Sequence, residues 1–528
     1  MSMFRRFVEN RLCAIILIAV TLVSVFSRMR AGPGALAFYD DDFFYYMKIA
    51  TNLASGHGST FDGFHQTNGY HPLWLVILTC LAKLFSKRIV LFLVLCIIVL
   101  STVITYIFAF ACFERFTKNK FIASLSAAAI AFSALLLVSG GMEILLTIPM
   151  TVMLCHFRIR HKFKWSVYNA TWYALLACLI VLSRLDAALF VGTLFILELI
   201  YLMIMRCSLQ LKAVVALFAG MSPLAIYAVI NLRIFGTLLP ISGQAKQLRI
   251  HHGFSLEPLQ SIRYNFTLYV YLLIVVPSVL IVLFSILRVA TIGWAALPAQ
   301  YRPIVGAITL FPIIHLVTLS WLSDWPLWQW YLYSFILAEL GAGIILLNQD
   351  FEISKIGLRR LEGLSAFLLF TAMAVYALHR LHGSKHPEEP VYAIYNAAVK
   401  IEHFSLTHPG VYAMGDRAGT PGYLLDEPLI QTEGLVMDAA YLSNIKREAN
   451  LIKVLQQYHV NYLIVTFPII KSGCYSLREP RQAGPDSHSM SGTICDVPVD
   501  HFFVNGAETD IFVLEDQQKR ENMIGLDY

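Results

Sequence analysis

The stretch from Ala37 to Trp74 reads AFYDDDFFYYMKIATNLASGHGSTFDGFHQTNGYHPLW, and it places three carboxylates, Asp40, Asp41 and Asp42, side by side. An aspartate can cap a helix N-terminus, take a proton in acid–base chemistry or hold a cation. The pattern FFYYMKIATNLA that follows needs only one of the three as a cap. Asp40 fits the cap position, which leaves its neighbours for other work. Behind them Gly56, Gly58, Gly63 and Gly69 alternate with His57, His65 and His71, giving a flexible, polar, aromatic-edged loop of the type that shapes a binding site. The spacing of these histidines and Asp62 matches no established metal-ligand pattern.

The chain that must position this loop is an integral membrane protein. Of its 528 residues 57% are hydrophobic and only 14% charged, and mean hydropathy is +0.64; soluble domains run at roughly 45–50% apolar. The net charge of +6 does not argue for nucleic acid, because in a membrane protein the distribution of Lys and Arg among loops carries more information than their sum. Arg5, Arg6 and Arg11 precede the apolar run Leu12 to Phe26, and no small-residue cleavage site appears before Arg28. This reads as an uncleaved first transmembrane helix with its N-terminus in the cytoplasm.

Further apolar runs at about 71–86, 89–113, 121–138, 143–157, 168–182, 186–205, 211–230, 268–288, 303–321, 328–347 and 362–378 are of spanning length or near it. The basic clusters Arg158 to Lys164, Arg206 to Lys212 and Lys355 to Arg360 should face the cytoplasm. Alternation then puts 231–267, 322–327 and everything after about 380 on the external side, with the Asp-rich loop of about 28–70. With the N-terminus and Arg115 to Lys120 both inside, 71–113 must cross an odd number of times although it looks like two helices. Either 71–86 is partly re-entrant or one charge cluster misleads, and the expected count is 11 to 13 crossings.

From about Ser384 the composition becomes polar and Pro-punctuated, and short apolar runs such as VNYLIVTFPII alternate with turns. The expected fold class is therefore an α-helical polytopic membrane domain over 1–383 followed by a small external α/β domain over 384–528. Cys474 and Cys495 lie in that domain, where a disulfide can persist, whereas most other cysteines sit in apolar runs as small buried hydrophobes. The sequons at Asn169 and Asn265 arise easily by chance.

Carboxylates in hydrocarbon are costly and are functional candidates. Glu143, after SGGM, is one, although a carboxylate near a helix N-terminus also explains it. The cations expected near the external face are Lys48, Arg184, Arg233 and Lys246; Lys48 could equally snorkel from a surface helix and Arg184 could simply pair with Asp186. Trp325, Trp328, Trp330, Tyr331 and Tyr333 read as an interfacial aromatic belt.

The stretch DDFFYYMKIATNLASGHGSTFDG followed by TNGYHPLW resembles the first external loop of bacterial membrane glycosyltransferases of the C-type superfamily, GT-C, which includes protein O-mannosyltransferases, aminoarabinose transferases and arabinofuranosyltransferases. SGGMEI (139–144), SRLDA (183–187), FGTLLPISGQAK (235–246), WQWYL (328–332) and GTPGYLL with TEGLVMD (419–438) resemble segments of the same group, so the likeness covers nearly the whole chain. It implies transfer of a sugar, with inversion, from a polyprenyl-phosphate donor to an acceptor hydroxyl at the external face of a bacterial inner membrane. Aligned with the family's Asp-Asp-x-x-Tyr-Tyr pattern, Asp41 is the expected general base and Asp42 its support. Lys48, Arg184, Lys246, Glu143, His71 and Tyr331 are expected around the donor phosphate and sugar. The implied partners are the lipid-linked sugar, the bilayer and a glycan, lipid or protein acceptor. No cofactor is implied, a divalent ion on the Asp pair being the alternative. Two other functions compete. An oligosaccharide ligase or polymerase of the same superfamily would need a large mobile second external loop, and 231–267 is short for that. A lipid or glycolipid transporter would show inverted repeats, and the sequence has none.

Overall fold

The computed structural model describes residues 2–161, 166–205, 211–348 and 355–514. The basic residues Lys162, Lys164 and Arg206 lie outside them, as do the side chains of Lys355, Arg359 and Arg360. The membrane part is built from α1 (Ser2–Arg30), α2 (Asp41–Ala54), α3 (Pro72–Leu84), α4 (Lys87–Phe113), α5 (Lys120–Val138), α6 (Ile144–His161), α7 (Val167–Ser183), α8 (Ala188–Ile204), α9 (Leu211–Gly220) and α10 (Ser222–Phe235). The short helices α11 (Ile241–Ala245), α12 (Glu257–Gln260) and α13 (Leu268–Val270) follow, and then α14 (Val276–Ile292), α15 (Arg302–Leu322), α16 (Tyr333–Leu347) and α17 (Lys355–Gly383). Local sequence sets several starts: Asn119 accepts from the N–H groups of Phe121 and Ile122, and Ser166 accepts from that of Asn169, each satisfying donors that a helix leaves orphaned.

Polar contacts mark the two ends of the bundle. At one end Arg28 donates to the Ser139 carbonyl, Glu143 pairs with Arg184, and the Tyr333 hydroxyl meets Asp186. At the other, Lys120 pairs with Glu114, the Asn119 amide reaches Glu362, Arg158 reaches the Gln300 carbonyl and Arg288 that of Asn348. Among the described residues, α1, α4, α5, α6, α7, α8, the α9–α10 pair, α14, α15, α16 and α17 run between these ends, eleven segments in all. Eight helices are long and apolar enough to cross a bilayer, and α9 with α10, bent by 42°, makes a ninth. The remaining two, α6 and α7, have 18 and 17 residues. The protein is a multi-pass membrane protein.

The ambiguous region 71–113 resolves into one crossing. Helix α3 has 13 residues, so it is about 20 Å long against the roughly 30 Å of a hydrocarbon core. It runs beside α2, and Lys83 near its C-terminus donates to the carbonyl of Ala54, the last residue of α2. The chain therefore reaches Leu84 level with the end of α2, without having crossed, and α4 alone spans.

After α17 the chain turns through His386–Glu389 into the C-terminal unit. It contains α18 (Ala393–Ser405), α19 (Gly419–Leu424), α20 (Ala439–Lys446) and α21 (Leu451–Gln457), with strands β1 (Tyr412–Met414), β2 (Leu429–Gln431), β3 (Tyr462–Thr466), β4 (Ile470–Lys471), β5 (Cys474–Glu479), β6 (Met490–Ile494), β7 (Asp500–Val504) and β8 (Ala507–Val513). A five-stranded sheet has the order β2-β1-β3-β8-β7, parallel about β1 and antiparallel about β8. A second sheet, β4-β5-β6, is stapled by a disulfide between Cys474 and Cys495. One apolar core runs from the helices into this unit: Phe44 of α2 packs on Tyr423 of α19, with ring centroids 5.2 Å apart.

Candidate functional site

Helix α2 starts at the acidic triplet, lies between the bundle and the C-terminal unit, and turns each aspartate toward different partners. Asp40 holds the N-cap position with extended backbone, but its side chain does not cap. It accepts from Gln329 at 3.2 Å and presses its second oxygen against Gly140, where a side chain would overlap it. Burial lifts its pKa to about 6. The capping expectation is thus right for the backbone and wrong for the carboxylate, which turns to Gln329 and Gly140 and makes no bond to the helix amides.

Asp41 is claimed by the C-terminal unit. One oxygen accepts from the Gly419 N–H at 2.8 Å, and the other from the N–H and the hydroxyl of Thr420, each at 2.7 Å. Lys48, two turns further along the same face of α2, donates to the Leu425 carbonyl at 2.8 Å. Both residues therefore bind α2 to the segment GTPGYLL, and Lys48 stands apart from the other candidate cations.

Asp42 has no hydrogen-bond partner among the described residues, and it is half-buried. Burial raises its pKa to about 7; Lys246 pulls it down, while Asp41, Asp40 and Glu143 push it up. Lys246 donates to the Tyr331 hydroxyl at 3.2 Å, and its ammonium lies 5.7 Å from the ring centres of both Trp325 and Tyr331. Burial lowers the Lys246 pKa, but Tyr331 and Asp42 more than offset it, so it is held above its ordinary value.

Beneath them sits a buried ion cluster. Arg184 donates through Nε and Nη2 to both oxygens of Asp186 at 2.9–3.1 Å and through Nη1 to Glu143 at 2.5 Å. Tyr331 and Tyr333 face its guanidinium at 4.6 and 5.0 Å. Asp186 also meets His315 at 3.1 Å, and Glu143 accepts from Tyr46 at 3.2 Å. The His71 Nδ1 accepts from the Leu185 N–H at 3.1 Å, so its proton sits on Nε2, 3.7 Å from Glu143. Burial lowers the His71 pKa, in keeping with that neutral tautomer. Arg233 is exposed on α10.

The structure thus brings Asp42, Lys246, Tyr331, Arg184, Glu143 and His71 together, and it directs Asp41 and Lys48 to the domain junction. The aspartates do not converge on one point, and Asp62 pairs with His65 at 2.6 Å. Among the described residues the one grouping with ligand atoms close enough to share an ion is His501, Glu508 and Asp510, in the β7–β8 hairpin.

No sequence-family profile matches the chain, and no curated protein matches it. Its structure is similar to that of ArnT from Cupriavidus metallidurans bound to undecaprenyl phosphate, with a TM-score of 0.52 and 12% identity over 86% of this chain and 93% of that one. The chain shares the fold of ArnT. Within this fold the sequence reading missed Gln329, His315 and Thr420 as partners of the acidic residues. Thr420 lies in GTPGYLL, a segment singled out only for its likeness; His315 stands alone in an apolar run, where a buried polar side chain demands a partner.

Proposed function

We propose that the protein is a glycosyltransferase that moves a sugar from a polyprenyl-phosphate donor to an acceptor hydroxyl in one inverting step. Asp42 takes the hydroxyl proton as the acceptor oxygen bonds to the anomeric carbon; the bond from that carbon to the phosphate oxygen breaks on the opposite face, and polyprenyl phosphate leaves. Lys246 faces the phosphate charge that develops, helped by the Tyr331 hydroxyl. The observation that carries this reading is the unengaged Asp42 carboxylate beside the half-buried Lys246 ammonium, at the junction of an apolar helical bundle and a polar domain. Such a place suits a substrate with a hydrocarbon tail and a sugar head. The undecaprenyl phosphate bound to ArnT supports the donor class.

This assignment exchanges the roles expected within the triplet. Burial raises the pKa of Asp41 and its three hydrogen bonds to Gly419 and Thr420 offset part of that, but those bonds engage both carboxylate oxygens and tie the group to α19. Arg184 likewise keeps a structural role, since two carboxylates already neutralise it. The disulfide of the C-terminal unit needs an oxidising compartment, which together with the basic clusters supports an external site on a bacterial inner membrane, with the N-terminus in the cytoplasm. An alkaline phosphatase fused to the C-terminus should then be active. The function is tested by mass spectrometry of lipid-linked sugars and surface glycans in cells with and without the protein. Loss of one sugar from the glycans with build-up of its polyprenyl-phosphate form is expected; unchanged pools overturn the reading.

A further inference from the structure

Two arginines meet at the corner where α1, α17 and the turn at Ser139 and Gly140 come together. Arg28, in the last turn of α1, is 1% exposed, and its Nη2 donates to the Ser139 carbonyl. Its guanidinium lies over the Tyr39 ring at 5.0 Å, and that of Arg380, in the last turn of α17, lies over the neighbouring Phe38 ring at 4.7 Å. The two helices pack along each other, so the two cations are close enough to repel.

Their charge is not balanced. The Arg28 Nη1 and the Arg380 Nε and Nη2 are buried without a hydrogen-bond partner, and so is the second oxygen of Asp40. Ring faces attract a cation but carry no countercharge. Asp40 is the carboxylate on which both guanidiniums act: burial raises its pKa to about 6, Gln329 and the two arginines pull it down, and Glu143 pushes it up. One partly ionised carboxylate does not offset two cations. Buried N–H groups are nearly always paired, and an uncompensated buried charge is costlier still. Water satisfies N–H groups but leaves the charge unbalanced. An arginine that merely snorkels holds its head in solvent, which Arg28 does not.

The depth of the pair in the bundle indicates what would balance it. Helix α1 exposes Leu22, Phe26 and Met29, and α17 exposes Phe367, Val375 and Leu378. These apolar faces end at the two arginines, where hydrocarbon gives way to headgroups. We propose that this corner binds the phosphate of a lipid in the adjoining leaflet, with the lipid chains lying on the exposed faces of α1 and α17. The guanidinium fork matches phosphate oxygens in pairs, and the phosphate supplies the missing negative charge. This binding stands whatever reaction the Asp42 site performs.

The test uses the full-length chain in detergent and native mass spectrometry during titration with phosphatidylglycerol, undecaprenyl phosphate, dioleoylglycerol and inorganic phosphate. At least one of the two lipid phosphates should bind as a single copy, at least tenfold more tightly than dioleoylglycerol, which lacks the phosphate, and than inorganic phosphate, which lacks the chains. The tighter of the two identifies the lipid. Arg380→Gln should weaken this binding at least fivefold. Asp40→Asn, which removes the carboxylate that competes for both cations, should tighten it, and Lys246→Met should leave it unchanged. Parental binding by Arg380→Gln, weaker binding by Asp40→Asn, or equal binding of dioleoylglycerol or inorganic phosphate overturns the proposal. Loss of binding in Lys246→Met places the lipid at the transfer site and overturns it as well.

Discussion

Replacing Asp42 and Asp41 separately by Asn discriminates between the two roles in the proposed mechanism. Asn keeps the shape of Asp and half of its accepting capacity, but it cannot take a proton. At Asp42, which has no partner to lose among the described residues, the fold should be unaffected and turnover should fall by about 10²–10⁴, the contribution of general-base catalysis. At Asp41 the substitution breaks at least one of three charge-assisted hydrogen bonds to Gly419 and Thr420, each worth about 1.5–3 kcal/mol. The cost there should show as a lower melting temperature and a smaller loss of rate. The pH profile adds a second measure. With a pKa of about 7 in the free protein, roughly a tenth of Asp42 is ionised at pH 6 and about nine tenths at pH 8, so parental kcat/KM for the donor should rise roughly tenfold over that interval. The assay is release of polyprenyl phosphate from a synthetic donor by purified protein. If Asp41→Asn loses more rate than Asp42→Asn, or if the residual activity of Asp42→Asn keeps the same acid limb, Asp42 is not the base.

Three further outcomes follow from the geometry. Arg184→Met leaves Glu143 and Asp186 without their cation and should destabilise by about 3–5 kcal/mol, seen as a large drop in melting midpoint that Lys246→Met does not share. In the C-terminal unit burial raises the pKa of Asp416, Glu433 and Glu479, the last to about 8. The folded state thus binds protons that the unfolded state releases, and stability should fall as pH rises from about 4.5 to about 8; a thermal midpoint that climbs with pH, or a Glu433→Gln variant with an unaltered slope, refutes this. Gly419→Ala places a methyl where it overlaps the Asp41 carbonyl oxygen, so it should separate α19 from α2 and lower both the melting midpoint and turnover; an unchanged midpoint refutes this.

The site's members were legible in the sequence to the extent that their chemistry was local. Three adjacent carboxylates, a polar glycine-rich loop and the aromatic run at 325–333 stand out without any structure. Which aspartate stays free was not legible, because it is decided by Gly419 and Thr420, some 380 positions away in sequence. Nor could hydropathy separate α3 from a crossing: a short helix that packs one face on α2 is as apolar as a span, and Lys83, reaching back to Ala54, shows where it ends. Arg184 carried the right warning in SRLDA, since Asp186 two residues on does pair with it; the second carboxylate, Glu143, comes from another helix.

Charge coupling across the site leads to one more expectation. In the protein alone, the Lys246 ammonium lowers the pKa of Asp42, while Asp41, Asp40 and Glu143 raise it. A donor phosphate seated on Lys246 would cancel that ammonium and bring a like charge toward Asp42, and both changes favour the protonated carboxylic acid. Asp42 therefore becomes a stronger base once the donor is bound, when the acceptor hydroxyl must be deprotonated. The acid limb of kcat/KM for the donor reports the free protein and that of kcat reports the complex, so the kcat limb should lie at higher pH. Lys246→Met removes the ammonium beforehand; it should raise the donor KM, shift the kcat/KM limb upward and shrink the gap between the two limbs. Coincident limbs in the parent protein, or a gap that Lys246→Met leaves unchanged, would mean that Lys246 does not couple the phosphate to the base.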